Sequence, residues 1–290
     1  MHSLYGIRGN MPSAQSRLLT SILTYVMPGG RKKMTIQERR LRTDQQAERF
    51  IHAPRGDRLE KITFGSLCAE WHVPKNISSD RTILYLHGGA YTFCSPATHR
   101  GLAGRIALAS NARVLAIAYR LAPEYPFPAA LEDSLAAWHY LLEQGVSPKN
   151  LVIAGDSAGG GLTMATAISL RDKKKELPAA LVLLSPWVDL VASKEYAKPY
   201  AGDQDPANPL ISPLYANLQR LPPILIQAGG AEFLLRDSQQ LNEKMQAAKV
   251  DVRFSVYKGM NHVFQAFAPL VPESRQAIVE IGKFVQNRLV

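Results

Sequence analysis

From residue 82 onward, short apolar runs alternate with longer stretches of helical period. The runs at 82–87 (TILYLH), 113–118 (RVLAIA), 151–154, 181–184, 224–227 and 252–256 are rich in Ile, Leu and Val and have the length of buried strands. Between and after them, 99–109, 128–143, 158–171, 234–248 and 270–289 read as helices, the second with Leu131, Leu135, Trp138, Leu141 and Leu142 apolar. Two earlier strands are expected at 59–66 and 68–73. Strands without a polar side need cover on both faces, so the pattern predicts an α/β fold: a mostly parallel central sheet with helices on both faces. In such sheets ligands bind beyond the carboxyl ends of the strands, which says where to look for chemistry.

Two regions fall outside the alternation. Leu18, Leu19, Ile22, Leu23 and Val26 share one helical face, which stops at Pro28-Gly29-Gly30. Thr35-Ile36-Gln37-Glu38 then reads as a capping box opening a second helix. Residues 1–50 are therefore predicted to be two helices preceding a main domain over 51–290. The other exception, 186–215, is punctuated by proline and only weakly periodic.

Composition narrows the classes. At 290 residues, 46% apolar and 20% charged, the chain can bury a core without disulfide or metal staples. No apolar run approaches the roughly 18–20 residues of a membrane span. The N-terminal MHSLYGIRGN lacks a basic segment followed by an apolar one, so no signal peptide is expected. Net charge is +10, and residues 1–60 hold eleven basic side chains against five acidic ones. No aromatic residues interleave with these to stack bases, so a solvated basic helix face is expected rather than a nucleic-acid site. Cys68 and Cys94 make neither a disulfide framework nor a CxxC metal pattern. Reduced thiols in a cytoplasmic protein, with no metal and no cofactor, are the expectation.

The chemistry centres on Gly155-Asp156-Ser157-Ala158-Gly159. This is G-x-S-x-G with a strand before it and a helix after it, the context of a nucleophile elbow. The turn is so tight that flanking side chains would clash, and it lifts the serine hydroxyl above the sheet, with the free N–H groups of a helix start behind it. A serine hydroxyl needs a base. Of seven histidines only His262 follows Ser157 in the order this fold uses, in a loop just after the strand at 252–256. An acid should fix the imidazole. Glu232, in the turn after strand 224–227, is the expected acid; Asp237, already in a helix, is its main rival, with Asp189 and Asp203 behind. His87-Gly88-Gly89-Ala90 directly follows a strand, and Gly88, Gly89 and Ala158 are predicted to supply N–H groups to an oxyanion.

Taken in order, HGGA, YRLAPEYPFPAALED, GDSAGG and GMNH resemble the hormone-sensitive lipase-like family, the bacterial family IV esterases of the α/β-hydrolase fold. The resemblance spans about residues 60–288. It implies Ser157 as nucleophile, His262 as base and a helical cap built from the N-terminal helices and the insertion at 186–215. It makes Asp156 part of the site's architecture and groups it with the substrate-binding residues. It also implies a pocket lined by Tyr91, Phe93 and Trp187 that admits small, short-acyl or aryl esters, and a homodimer through the last strand and helix, near 252–257 and 270–289. Two positions depart from the family pattern: Ala90 replaces the third glycine of HGGG, and Glu232 stands where aspartate is usual. Cys94, just past the oxyanion turn, reads as a small buried residue. Amide or lactone hydrolysis fits the same scaffold. A non-catalytic receptor of this fold is disfavoured because His262 is present.

Overall fold

The computed structural model describes residues 6–8, 12–17, 34–75, 77 and 80–289. Among them are nine strands: β1 (Gly6–Arg8), β2 (Asp57–Phe64), β3 (Leu67–Pro74), β4 (Thr82–Leu86), β5 (Arg113–Ile117), β6 (Leu151–Asp156), β7 (Ala180–Leu184), β8 (Ile224–Gly229) and β9 (Val252–Tyr257). They form one sheet in the order β1-β9-β8-β7-β6-β4-β5-β3-β2. Pairing is antiparallel only where β3 meets β2 and β5. Strands β4, β6, β7 and β8 lie side by side at the centre, so the segments that leave their carboxyl ends converge.

The pleat divides each central strand between two cores. Leu84, Leu86, Ile153 and Leu183 face one core. Ile83, Tyr85, Val152 and Val182 face the other. This is why the strands read as continuous apolar runs. The first core is closed by α3 (Ala129–Glu143), α4 (Ala158–Asp172) and α6 (Leu235–Ala247). The second is closed by α2 (Pro96–Ser110) and α7 (Pro272–Gln286). Helix α4 is buried along its length from Ala158 to Leu170, which explains its apolar, glycine-rich start.

Helix α1 (Ile36–Phe50) opens with the expected capping box: the Thr35 hydroxyl accepts the Glu38 N–H at 3.2 Å, and the Glu38 carboxylate accepts the Thr35 N–H at 2.8 Å. Its basic face is not wholly solvated. Arg40 donates to the Thr92 carbonyl at 2.7 Å and pairs with Glu124 at 2.8 Å, while Arg100 of α2 reaches Glu48 at 2.7 Å. The helix is thereby docked against the loop that follows β4.

Several elements differ from expectation. Strand β1 lies in a stretch expected to be helical. Three residues carry no readable period, and the strand exists through parallel pairing with β9. That pairing occupies the outer edge of β9, so the expected edge-to-edge association of two copies through this strand would have to displace residues 6–8. Helix α2 starts three residues early, because Pro96 stands in its first turn and the Thr98 hydroxyl accepts the Ser95 N–H. Within 186–215 a helix, α5 (Lys194–Ala201), carries a proline, Pro199, in its interior. The helix expected around Leu18–Val26 lies outside the described residues. No helix among the described residues is long and apolar enough to cross a membrane.

Candidate active site

Strand β6 delivers Ser157. The residue sits between the strand and α4 with φ 53° and ψ −120°, a conformation that costs a non-glycine residue about 1–3 kcal/mol and persists only where its surroundings enforce it. Here Ser157 N–H donates to the Leu184 carbonyl of β7 at 2.9 Å, and the Ser157 carbonyl accepts from Trp187 N–H at 2.9 Å. The tightness required at the elbow is visible at Gly159. A Cβ there would lie 1.9 Å from the Leu86 carbonyl oxygen and 2.6 Å from that of His87. Gly159→Ala is expected to cost about 3 kcal/mol in urea unfolding, since only main chain could move aside. Wild-type stability would contradict this packing.

His262 enters from the loop after β9. Its Nε2 lies 2.9 Å from Ser157 Oγ. Burial holds the imidazole's pKa down at about 4, with the Asp156 charge acting in the opposite direction, so the ring is neutral at ordinary pH and can accept a proton. Across the ring, Glu232 Oε2 lies 4.0 Å from Nδ1. His262 Nδ1 and Glu232 Oε1 are both buried and lack a hydrogen-bond partner among the described residues, so the imidazole and the carboxylate each keep one unsatisfied polar atom at this site. Glu232 Oε2 accepts the Ser185 hydroxyl at 2.6 Å and the Gly229 N–H at 2.9 Å. Burial nevertheless pushes its pKa up to about 7.

Asp237, the rival acid, is turned elsewhere. Its Oδ2 accepts the N–H groups of Val188 at 3.1 Å and Asp189 at 3.0 Å, which anchors the segment leaving β7. Asp189 is engaged with Ala192 N–H and the Tyr215 hydroxyl, and Asp203 is exposed. Of the four candidate acids, Glu232 is the one that faces His262.

The turn after β4 corrects one expectation. The Gly88 N–H donates to Asp156 Oδ1 at 3.0 Å, so it points into the protein and away from Ser157. Gly89 (φ 114°) and Ala90 (φ 51°) form the left-handed turn that follows. The N–H groups of Gly89, Ala90 and Ala158 meet no acceptor among the described residues. Ala90, which sequence reasoning treated only as a departure from HGGG, belongs with the free donors, whereas Gly88 does not.

Asp156 is likewise misplaced by the expectation that it contacts substrate. It is buried behind the nucleophile, where its carboxylate accepts the Tyr85 hydroxyl at 2.7 Å and meets His99 Nε2 at 3.3 Å. Burial works against its charge, but the His99 imidazole and the Tyr85 hydroxyl hold its pKa below the usual carboxylate range. Its work is to tie the oxyanion turn to the nucleophile strand.

Above Ser157 lies a cavity of about 450 Å³, lined by Ala90, Trp187, Ser193, Tyr196, Phe233 and Leu234 with Ser157 itself. Trp187 is where the sequence placed it. Tyr91 is not. It is fully buried and stacks on Tyr200 at 3.6 Å, behind Trp187. Phe93 lies outside the lining and is covered by Arg39. Phe233 and Tyr196 were missed. Phe233 adjoins Glu232 in sequence and lies 4.7 Å from the His262 ring, a position readable once Glu232 was chosen. Tyr196 lies on α5, whose period is broken by Pro199.

A serine on a strand–helix elbow, a histidine on its hydroxyl and a carboxylate behind the histidine, all at the carboxyl ends of a mostly parallel sheet, define an α/β-hydrolase. The family described as "alpha/beta hydrolase fold" matches residues 83–266. An acetyl-hydrolase of Streptomyces hygroscopicus is 40% identical over 273 residues, covering 87% of this chain and 90% of its own. An esterase of Acinetobacter venetianus is 36% identical over 230 residues, 72% and 76% of the two chains. Among solved structures, an esterase from the bacterial hormone-sensitive lipase family superposes with a TM-score of 0.89 at 37% identity, covering 97% of this chain and 100% of the other. The chain belongs to this hormone-sensitive lipase-like family of bacterial esterases and is a carboxylic ester hydrolase.

Proposed function

We propose that the protein is a serine carboxylesterase that hydrolyses small, short-acyl or aryl esters through Ser157, His262 and Glu232. The observation that carries this reading is the 2.9 Å contact between His262 Nε2 and Ser157 Oγ at the floor of an apolar cavity. His262 takes the Ser157 proton as Oγ attacks the ester carbonyl. The tetrahedral oxyanion is received by the N–H groups of Gly89, Ala90 and Ala158, each such donor being worth roughly 10²–10³ in rate. Glu232 closes on Nδ1 as the imidazolium forms. His262 then protonates the leaving alcohol, and water, activated in the same way, releases the acid from the acyl-enzyme.

The cavity supports the substrate class. Its size lies toward the small end of the roughly 300–1,000 Å³ range of ligand sites, and among the described residues no charged side chain lines it. A neutral, compact acyl group fits that description. Residues 1–50 and 186–215 are proposed as the cap. In support, α1 is pinned to the loop after β4, and Tyr196 of α5 lines the cavity. Cys68 and Cys94 are both free thiols, which supports a reducing, cytoplasmic setting.

A series of p-nitrophenyl esters, from acetate through butyrate and octanoate to palmitate, together with p-nitrobutyranilide, tests this. The expected order of kcat/KM places acetate and butyrate well above octanoate, palmitate near background and the anilide far below the butyrate ester. A palmitate optimum would overturn the substrate class. Parity between the anilide and its ester would assign the scaffold to amide hydrolysis.

A further inference from the structure

Ser185 is the first residue after β7, between the strand that carries the nucleophile and the strand that leads to the acid. It is fully buried and holds φ 48°, a left-handed conformation that glycine would adopt without strain. A serine kept at such a position invites a question about its hydroxyl. That group has one proton and two lone pairs. The proton goes to Glu232 Oε2 at 2.6 Å, and a lone pair accepts the N–H of Val263, the residue after His262, at 3.1 Å. The Ser185 N–H meanwhile donates to the Gln227 carbonyl of β8 at 2.7 Å, which fixes the residue itself. One side chain therefore joins the carboxylate to the loop that bears the imidazole.

We propose that Ser185 is a positioning residue of the hydrolytic site, whose hydroxyl keeps Glu232 ionised and in register with His262. This rests on the reading of Ser157, His262 and Glu232 given above. Because the hydroxyl donates to the carboxylate, it favours the charged form. Burial drives Glu232 toward protonation, and the Ser185 and Gly229 donors oppose it. The titratable groups that face this carboxyl are His262, from the loop after β9, and Asp237, from the first turn of α6. Asp237 also pushes Glu232 toward its neutral form, so Ser185 and the Gly229 N–H are the groups that hold its charge before the imidazolium appears.

The test uses Ser185→Ala and Ser185→Gly, the latter also releasing the backbone strain so that a folded variant without the hydroxyl is in hand. Both are expected to lose about tenfold in kcat at neutral pH, with KM changed less than about twofold. The acid limb of the kcat profile is expected to move up by about one pH unit, because the carboxyl now ionises later. In a Glu232→Ala background, Ser185→Gly is expected to cost little more, since its action passes through that carboxylate. An unshifted acid limb in Ser185→Gly, or full additivity with Glu232→Ala, overturns the proposal and leaves the triad intact. Wild-type activity in Glu232→Ala overturns the triad reading, and this proposal with it.

Discussion

Ser157→Ala is expected to lower kcat toward p-nitrophenyl butyrate by about 10⁴–10⁶-fold while leaving the fold intact. The hydroxyl supplies the bond that forms, and no other described side chain in the cavity can replace it: Ser193, the other hydroxyl in the lining apart from that of Tyr196, accepts the indole N–H of Trp187 at 3.0 Å and has no histidine beside it. Removing Oγ leaves the left-handed backbone at 157 unchanged, because the strain is held by Leu184, Trp187 and the start of α4 rather than by the side chain. The melting temperature should therefore stay within a few degrees of wild type, as about 1 kcal/mol or less is at stake. Substrate should still bind, so short esters should bind the variant without being turned over.

Glu232→Ala is expected to reduce kcat by about 10³–10⁴-fold, the penalty for an imidazole with no acid to orient it and to balance its charge. Asp237→Ala separates the two carboxylates. It should reduce kcat by less than about tenfold, yet lower unfolding stability by about 1–3 kcal/mol, because the Val188 and Asp189 N–H groups lose their acceptor. The two losses fall on different observables because one carboxylate faces His262 and the other faces backbone. Equal effects of the two substitutions on kcat would dissolve that distinction.

The strands and helices of the catalytic core could be read from sequence because each carries its own period, and the elbow because strand, glycine, serine and helix occur in one unbroken stretch. What escaped depends on contacts between distant segments. Strand β1 has no pattern of its own and is defined by β9. Helix α5 is eight residues long with proline inside it, too little for a hydrophobic face to register. The donor set at the oxyanion turn was misassigned at one position: HGG suggests that both glycines turn outward, but the Gly88 N–H is claimed by Asp156, 68 residues later. Tyr91 and Phe93 are aromatic and near the turn in sequence, which says nothing about which way each side chain leaves it. Asp156 carries a similar lesson, since adjacency to the nucleophile placed it beneath the site rather than in it. The position of Glu232 near His262 was legible because it follows a strand end directly, and Asp237 was separable because a helix had already begun.

The most direct test of the account is covalent. Diethyl p-nitrophenyl phosphate should acylate-mimic the first half-reaction, phosphorylating Ser157 Oγ and expelling p-nitrophenolate. The expected result is one equivalent of p-nitrophenol per chain, a single diethylphosphoryl adduct on the peptide containing Ser157, loss of esterase activity in step with the adduct, and much slower reaction in His262→Ala. An adduct mapped to another residue, or full ester hydrolysis by a chain whose Ser157 is quantitatively phosphorylated, would contradict it.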